Sequence, residues 1–333
     1  MKLLIILVGA LLATATAAAP AYTPPRTSWG APDLDGYWSN ASLTKLTRPP
    51  GQTRLVVSEA EARTVAAGWN EALASDLRPT DPGKGAPPKG GDPGGYNLFW
   101  ADNGNALVRV RGEYRTSWIV DPADGQLPLS EQGKALAAKA AVFRREADKP
   151  TDPEGLEPWD RCLISSRGSG GPGMLNNIYN SNYQIVQAPD AVAIVIEMIH
   201  DARTISLYPD KAAAQAAHGP VNVQPWLGDS RGWWEGDTLV VETVHVNREQ
   251  GRAGPLFLTP EGRVTERFTR AAKDAIAYEF TVEDNAYYSR PWRAETSFTA
   301  LGHPLYEYAC HEGNYALPHI LAGVRVAEGK AVK

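Results

Sequence analysis

The C-terminal half of the chain is patterned with a period of two. Ile276, Tyr278, Phe280 and Val282 alternate with Glu279 and Thr281, and Trp292, Ala294, Thr296 and Phe298 alternate with Arg293, Glu295 and Ser297. In an extended chain, successive side chains point to opposite faces, so each run turns one face to a core and the other to water. Runs of the same strand-like character occur at residues 183–187, 191–199, 203–208, 238–246 and 263–269. A last one, 305–310, follows the turn Gly302-His303-Pro304. The run 191–199 is apolar on both faces and belongs centrally in a sheet. Short strands at this spacing, joined by turns such as Pro189-Asp190 and Glu235-Gly236-Asp237, predict a mainly β protein. The expected architecture is a closed or nearly closed antiparallel β-barrel, because closure removes the exposed edges of a long sheet. A sandwich is the alternative.

The N-terminal half reads differently. Leu34-Asp35-Gly36-Tyr37-Trp38 has the character of a first strand. Ser58 followed three residues later by Glu61 is a capping box, which predicts a helix running to about Asp76. Residues 79–95 hold too many Pro and Gly for a regular element and are expected to form a surface loop. Residues 107–120 suit one or two strands ending at the turn Asp121-Pro122-Ala123-Asp124-Gly125, and Ser130 can cap a second helix with Leu136, Ala140 and Phe143 on one face. Few helices and long Pro/Gly-rich loops would thus surround the barrel.

Lys2, an apolar run over 3–12 and the small residues 13–19 have the layout of a cleaved secretory signal. Residues 1–19 are expected to be removed on export to the periplasm or medium. The remainder, 20–333, is expected to form a single barrel domain, with 20–160 wrapping a main meander at 161–315. The apolar run is shorter than the roughly 20 residues a membrane-spanning helix requires, so no stable membrane insertion is expected. A net charge of -5 without a basic stripe argues against nucleic acid, whose phosphates need clustered Lys and Arg. In an oxidising compartment the only two cysteines, Cys162 and Cys310, most simply form one disulfide; two free thiols are the alternative.

Three segments carry the chemistry-bearing residues. In the first, Ile196-Glu197-Met198-Ile199-His200-Asp201-Ala202-Arg203, regular alternation puts His200 on the face of Ile194, Ile196 and Met198, with Glu197 opposite. His200 and Asp201 at a strand end suit proton transfer, since imidazole titrates near neutrality and a carboxylate can orient it; Arg203 could stabilise an oxyanion. A plain ion pair of Asp201 with Arg203 is equally consistent with the pattern. In the second segment, Asp229 and Arg231 lie in a Gly-flanked turn before Trp233 and Trp234, so that carboxylate, guanidinium and indole would border one cavity suited to a flat apolar ligand. In the third, Tyr306 and Tyr308 precede Cys310, and His311 and Glu312 follow it. The catalytic candidates are therefore His200, Asp201, Arg203, Asp229 and Arg231. The substrate-binding candidates are Asn177, Tyr179, Tyr183, Trp234, Tyr308, His311 and Glu312.

No cofactor and no metal is expected. His311-Glu312 lacks the second histidine of a helical zinc motif, and His218, His245 and His303 are not grouped by spacing. The Gly-rich stretch 168–173 has no phosphate-loop ending and no nucleophile-elbow context; it reads as a flap.

Several motifs carry a resemblance: Asp33-Leu34-Asp35-Gly36-Tyr37-Trp38-Ser39-Asn40, Arg161-Cys162, Met198-Ile199-His200-Asp201-Ala202-Arg203, the stretch 226–232, and Tyr306-Glu307-Tyr308-Ala309-Cys310-His311-Glu312-Gly313-Asn314-Tyr315. They resemble a family of exported bacterial proteins of mostly unassigned function. Gly36-x-Trp38 also resembles the first-strand motif of lipocalin-like (calycin-like) barrels. Proteins similar to this one include cofactor-independent lyases acting on lignin-derived aromatic dimers, such as a phenylcoumaran γ-formaldehyde lyase. The resemblance implies a lyase or isomerase working by acid/base chemistry on a hydrophobic aromatic small molecule. A non-catalytic periplasmic protein that binds such a ligand is the alternative, and a carbohydrate-active hydrolase, which needs two opposed carboxylates, is a third. A homo-oligomer stays open.

Overall fold

The computed structural model describes residues 22–78, 83, 85, 101–146, 150, 152–165 and 168–329. The expected signal segment and nearly all of the expected loop 79–95 lie outside the described residues.

The protein is mainly β, built on a closed barrel of nine strands. These are β1 (Gly36–Ser39), β6 (Asn182–Gln187), β7 (Ala191–Ile196), β8 (Ala202–Leu207), β9 (Asp229–Glu235), β10 (Thr238–Val244), β11 (Arg263–Ala272), β12 (Ala275–Glu283) and β13 (Trp292–Ala300). Each pairs with the next, and β13 returns to β1 through Trp38 with Ala300 and Ser39 with Thr299. Ahead of β6 the chain forms β2 (Val56–Val57), β3 (Arg109–Val110), β4 (Glu113–Arg115) and β5 (Ile119–Asp121). β5 extends the edge of β13, while β2, β4 and β3 make a small separate sheet. The helices are α1 (Glu59–Asp76), α2 (Glu131–Glu146), α3 (Lys211–Ala216) and α4 (Ala316–Ala327). Among the described residues no helix is long and apolar enough to cross a membrane.

The period-two pattern accounts for the barrel wall. Ile276, Tyr278, Phe280 and Val282 of β12 and Trp292, Ala294, Thr296 and Phe298 of β13 are all buried. Tyr278 and Phe298 stack with ring centroids 5.1 Å apart, and Tyr183 meets Phe298 at 5.3 Å, so the interior is aromatic.

The wall departs from the expected one in two ways. It is mixed: β9 runs parallel to β8, pairing Ser206 with Arg231 and Leu207 with Gly232. After β8 the chain leaves the wall through α3, whose Ala214 packs outside it against Trp233 and Val240, and it re-enters at the end where β8 began. Residues 305–310, expected to close the meander, are irregular, because the edge they would have paired is taken by β1.

The capping box is present as expected, with Glu61 N–H bonded to the Ser58 hydroxyl and Ser58 N–H bonded to the Glu61 carboxylate. Ser58→Ala is expected to destabilise the protein by about 1 kcal/mol at neutral pH, read by urea denaturation. Hydrogen bonds from the Ser58 backbone and hydroxyl, and from Arg54, hold the Glu61 carboxyl down at about 2. A depressed folded-state value means this contribution is fully present above the ordinary carboxylate range near 4.5 and is lost as the pH falls through about 2. The gap between wild type and variant should therefore narrow on acidification without vanishing, since the bond from Glu61 N–H to the Ser58 hydroxyl does not depend on that charge; a gap independent of pH would remove the carboxylate from the hydroxyl's contribution.

Candidate functional site

The two ends of the barrel differ. At one end the strands are joined by tight hairpins, Gln187 to Ala191, Glu235 to Thr238 and Ala272 to Ala275. The other end gathers the C-termini of β1, β7, β10 and β12 with the N-termini of β6, β8, β9, β11 and β13, as the pairs Tyr183–Ile196, Asp229–Val244, Arg263–Glu283 and Trp292–Val282 show. The connections from β1 to β6, from β10 to β11 and from β12 to β13 leave from this end. A rigid wall that displays long loops at one rim is the usual place for a site.

Just inside that rim lies an ion pair with no access to water. Arg203 points inward from β8 and Glu266 from β11, with residue exposures of 2% and 0%. The contact is bidentate, Nη1 to Oε2 at 2.7 Å and Nη2 to Oε1 at 3.0 Å. The Tyr278 hydroxyl donates to Glu266 Oε1 at 2.6 Å. Burial opposes the charge on Arg203, but the Glu266 carboxylate outweighs it and holds the guanidinium above its ordinary value. Burial, reinforced by the Glu266 charge, pushes the Tyr278 hydroxyl well up, and burial raises Tyr183 as well. Asp201 with Arg203, the ion pair left open by the sequence, is not the pair that forms.

The Gly-rich stretch covers this cluster. Residues 168–175 are all buried, and Met174 brings its Sδ to 3.7 Å from Arg203 Nη2. Side chains hold it by its carbonyls: Tyr183 bonds to Ser169 O at 3.0 Å, Gln250 to Gly171 O at 2.6 Å and Asn40 to Met174 O at 2.6 Å. Gly171 must be glycine, since its φ is +94° and a Cβ there would stand 2.6 Å from Arg203 Nη1.

The segment around His200 follows a different logic from regular alternation. β7 stops at Ile196, and Ile199 and His200 take φ of 63° and 56°, which turns the chain and breaks the period. His200 is exposed, while Glu197 is buried. Glu197 accepts from Asn180 and Asn182, both at 2.9 Å, and from Tyr306 N–H at 2.8 Å. His200 Nε2 accepts from Tyr308 N–H at 3.0 Å. The two side chains thus replace a neighbouring strand for the N–H groups of Tyr306 and Tyr308, and the Cys162–Cys310 disulfide fastens the same segment, Cα to Cα 5.8 Å. Asp201 Oδ2 instead accepts from Ser165 N–H at 2.6 Å; burial raises its carboxyl, against the lowering effect of that bond. His200 and Asp201 serve different neighbours.

Asp229 and Arg231 do not share a cavity with the inward indole. They are in β9 rather than in a turn, and alternation sends them to the outer face while Trp234 packs on the core. They pair with each other at 2.9 Å. His218 bridges Asp229 at 3.1 Å and Glu242 at 3.3 Å, and Glu242 also meets Arg263 at 3.0 Å. Burial would raise Glu242, but hydrogen bonds from His218 and Gln215 and the charge of Arg263 bring it below its ordinary value.

Of the expected ligand contacts, Tyr183 lies in the interior cluster, and Tyr179 and Tyr308 pack at its outer margin. Asn177 Oδ1 accepts from the next residue's N–H at 2.8 Å, the local role common for Asn. His311 and Glu312 are exposed ahead of α4. Glu266 and Tyr278 were missed. Their signal was present, because Glu266 shares the inward face of β11 with Val264 and Phe268, and a carboxylate on an apolar face demands a partner. Comparison with family models, with curated proteins and with solved structures finds no match for this chain.

Proposed function

We propose that this chain is an exported, cofactor-independent lyase or isomerase acting on a hydrophobic aromatic small molecule, with its reaction centre where Arg203, Glu266, Tyr278 and Tyr183 meet beneath residues 168–175. The observation that carries this reading is the buried Arg203–Glu266 pair inside an aromatic barrel. Such a pair adds little net stability compared with apolar residues of the same size, so its presence under a glycine-rich cover calls for a chemical use. The Cys162–Cys310 bond supports an oxidising, periplasmic or extracellular setting.

In the finer form of the reading, the substrate is a lignin-derived phenylpropanoid dimer. With residues 168–175 displaced, Glu266 takes the proton of the γ-hydroxyl and the Cβ–Cγ bond breaks to release formaldehyde. The electron pair forms the Cα–Cβ double bond as the aryl ether C–O bond opens. Arg203 stabilises the phenolate, which recovers the proton from Glu266 with Tyr278 at hand as relay. His200 and Asp201, the proton-transfer groups that sequence alone favours, act on this reading as supports of the rim.

The second reading, a barrel that binds an aromatic ligand unchanged, is favoured by one observation: Arg203 and Glu266 already satisfy each other's charge. Incubating the protein with phenylcoumaran-type dimers and following products by mass spectrometry separates the two. Conversion, with turnover falling about 100-fold or more in a folded Glu266→Gln variant, is the expected result. Recovery of bound, unchanged dimer would instead establish the binding protein, and full turnover in the variant would remove Glu266 from the chemistry.

A further inference from the structure

A second candidate site lies where the glycine-rich cover ends. Chain segments from the β1–β2, β6 and β10–β11 connections enclose a hollow of about 190 Å³ there. Leu46, Leu175 and Pro255 give it apolar surface, Lys45 brings an ammonium to it, and Asn103 brings a carboxamide. Among the described residues no Asp or Glu lines it. Arg203 and Glu266 are not on its lining, so the site does not depend on the chemistry proposed for the barrel interior.

Asn103 singles this hollow out. The residue is only 5% exposed, and its carboxamide has no hydrogen-bond partner among the described residues. The large majority of buried polar side chains are bonded, so this amide calls for a partner from the hollow it lines. Its neighbour across the hollow shows the contrast, since Asn176 Nδ2 donates to Ser42 O at 2.8 Å. Backbone packing holds Asn103 in place on both sides. Asp102 N–H donates to Ile178 O at 2.8 Å, and Gly104, with φ of +73°, lies so close to residue 41 that a Cβ would stand 2.8 Å from Ala41 O. Lys45 is exposed and makes no ion pair among the described residues, while its carbonyl accepts from Trp118 N–H at 2.9 Å and anchors the base of the side chain. A site set in this way before any ligand arrives loses less freedom on binding.

An amide NH2 and an ammonium both donate, so together they suit a group that accepts two hydrogen bonds and carries negative charge. A cation would meet the ammonium, and a wholly apolar ligand would leave the buried amide unsatisfied. The rest of the lining is apolar and the space is small. We propose that this hollow binds a small organic carboxylate with a single-ring apolar body, its oxygens accepting from Asn103 Nδ2 and Lys45 Nζ and its body against Leu46, Leu175 and Pro255.

NMR titration of the disulfide-bonded protein tests this with three probes of one shape: benzoate, its neutral isostere nitrobenzene, and the cation benzamidinium. Benzoate should shift the Asn103 side-chain amide signal, identified by its absence in Asn103→Leu, weaken as salt is raised, and outbind both analogues by about fivefold or more. Asn103→Leu should lower benzoate affinity about tenfold and leave the urea midpoint unchanged or raised, because no bond within the protein is lost. Lys45→Met, a change at an exposed position, should lower the affinity about two- to fivefold and remove the salt dependence. No shift at Asn103 with benzoate at millimolar concentration would show that water alone satisfies the amide and would overturn the proposal. So would equal affinity for either analogue, full benzoate affinity in either variant, or a lowered urea midpoint in Asn103→Leu, which would give the amide a structural bond instead.

Discussion

Arg203→Met is expected to destabilise the protein by about 3–5 kcal/mol, the usual effect of removing one member of a buried ion pair. Among the described residues, Glu266 would keep Tyr278 and the distant Gly173 N–H, at 3.4 Å, as donors at 0% exposure, and an uncompensated buried carboxylate is far more costly than a missing contact. The double variant Arg203→Met with Glu266→Leu should recover most of that loss, because apolar groups of similar volume are tolerated in place of a buried pair. Urea denaturation of the wild type, both single variants and the double variant closes the cycle. A single variant within about 1 kcal/mol of wild type would show that the pair is not sealed from water as the structure has it. A double variant that is stable yet inactive would separate the chemical use of the pair from its part in folding.

Loss of the Cys162–Cys310 bond is the second large effect. The cross-link spans 148 residues, and in the chain-entropy model a loop of that length restricts the unfolded state by about 5 kcal/mol, with measured native disulfides falling at about 2–5. Cys162→Ser with Cys310→Ser should therefore lower the melting temperature by several degrees or more. The loss should be local as well as global. Residues 305–310 lack a partner strand and are otherwise held by Glu197 and His200 on Tyr306 and Tyr308, so their amides should lose protection from hydrogen exchange before those of β12 and β13. An unchanged melting temperature, or protection lost everywhere at once, would contradict this account.

Local elements were legible because local physics makes them. Ser58 and Glu61 satisfy each other's backbone within one turn, and nothing distant is needed to start α1. Alternation along β12 and β13 names the inward residues because a strand has only two faces. The same alternation puts Glu266 on the inward face of 263–269, where a charge needs a partner. The segment 196–203 departs from alternation for a structural reason: Ile199 and His200 take left-handed backbone, uncommon outside glycine and most of all for a β-branched residue, and the turn is held by buried Glu197, whose carboxylate bonds to residues 15 and 109 positions away.

By itself, the sequence determined the mainly β character and the helix caps, and it favoured a closed or nearly closed barrel over a sandwich and one disulfide over two free thiols, since each follows from periodicity, from neighbours in the chain or from a choice among few partners. Only the tertiary structure decided that Arg203 meets Glu266 rather than Asp201, and that β1 rather than 305–310 closes the wall. It alone put Asp229 and Arg231 outside the wall and Arg203 within. These choices compare contacts between residues far apart in the chain, and which of them forms depends on burial that exists only once the barrel has closed.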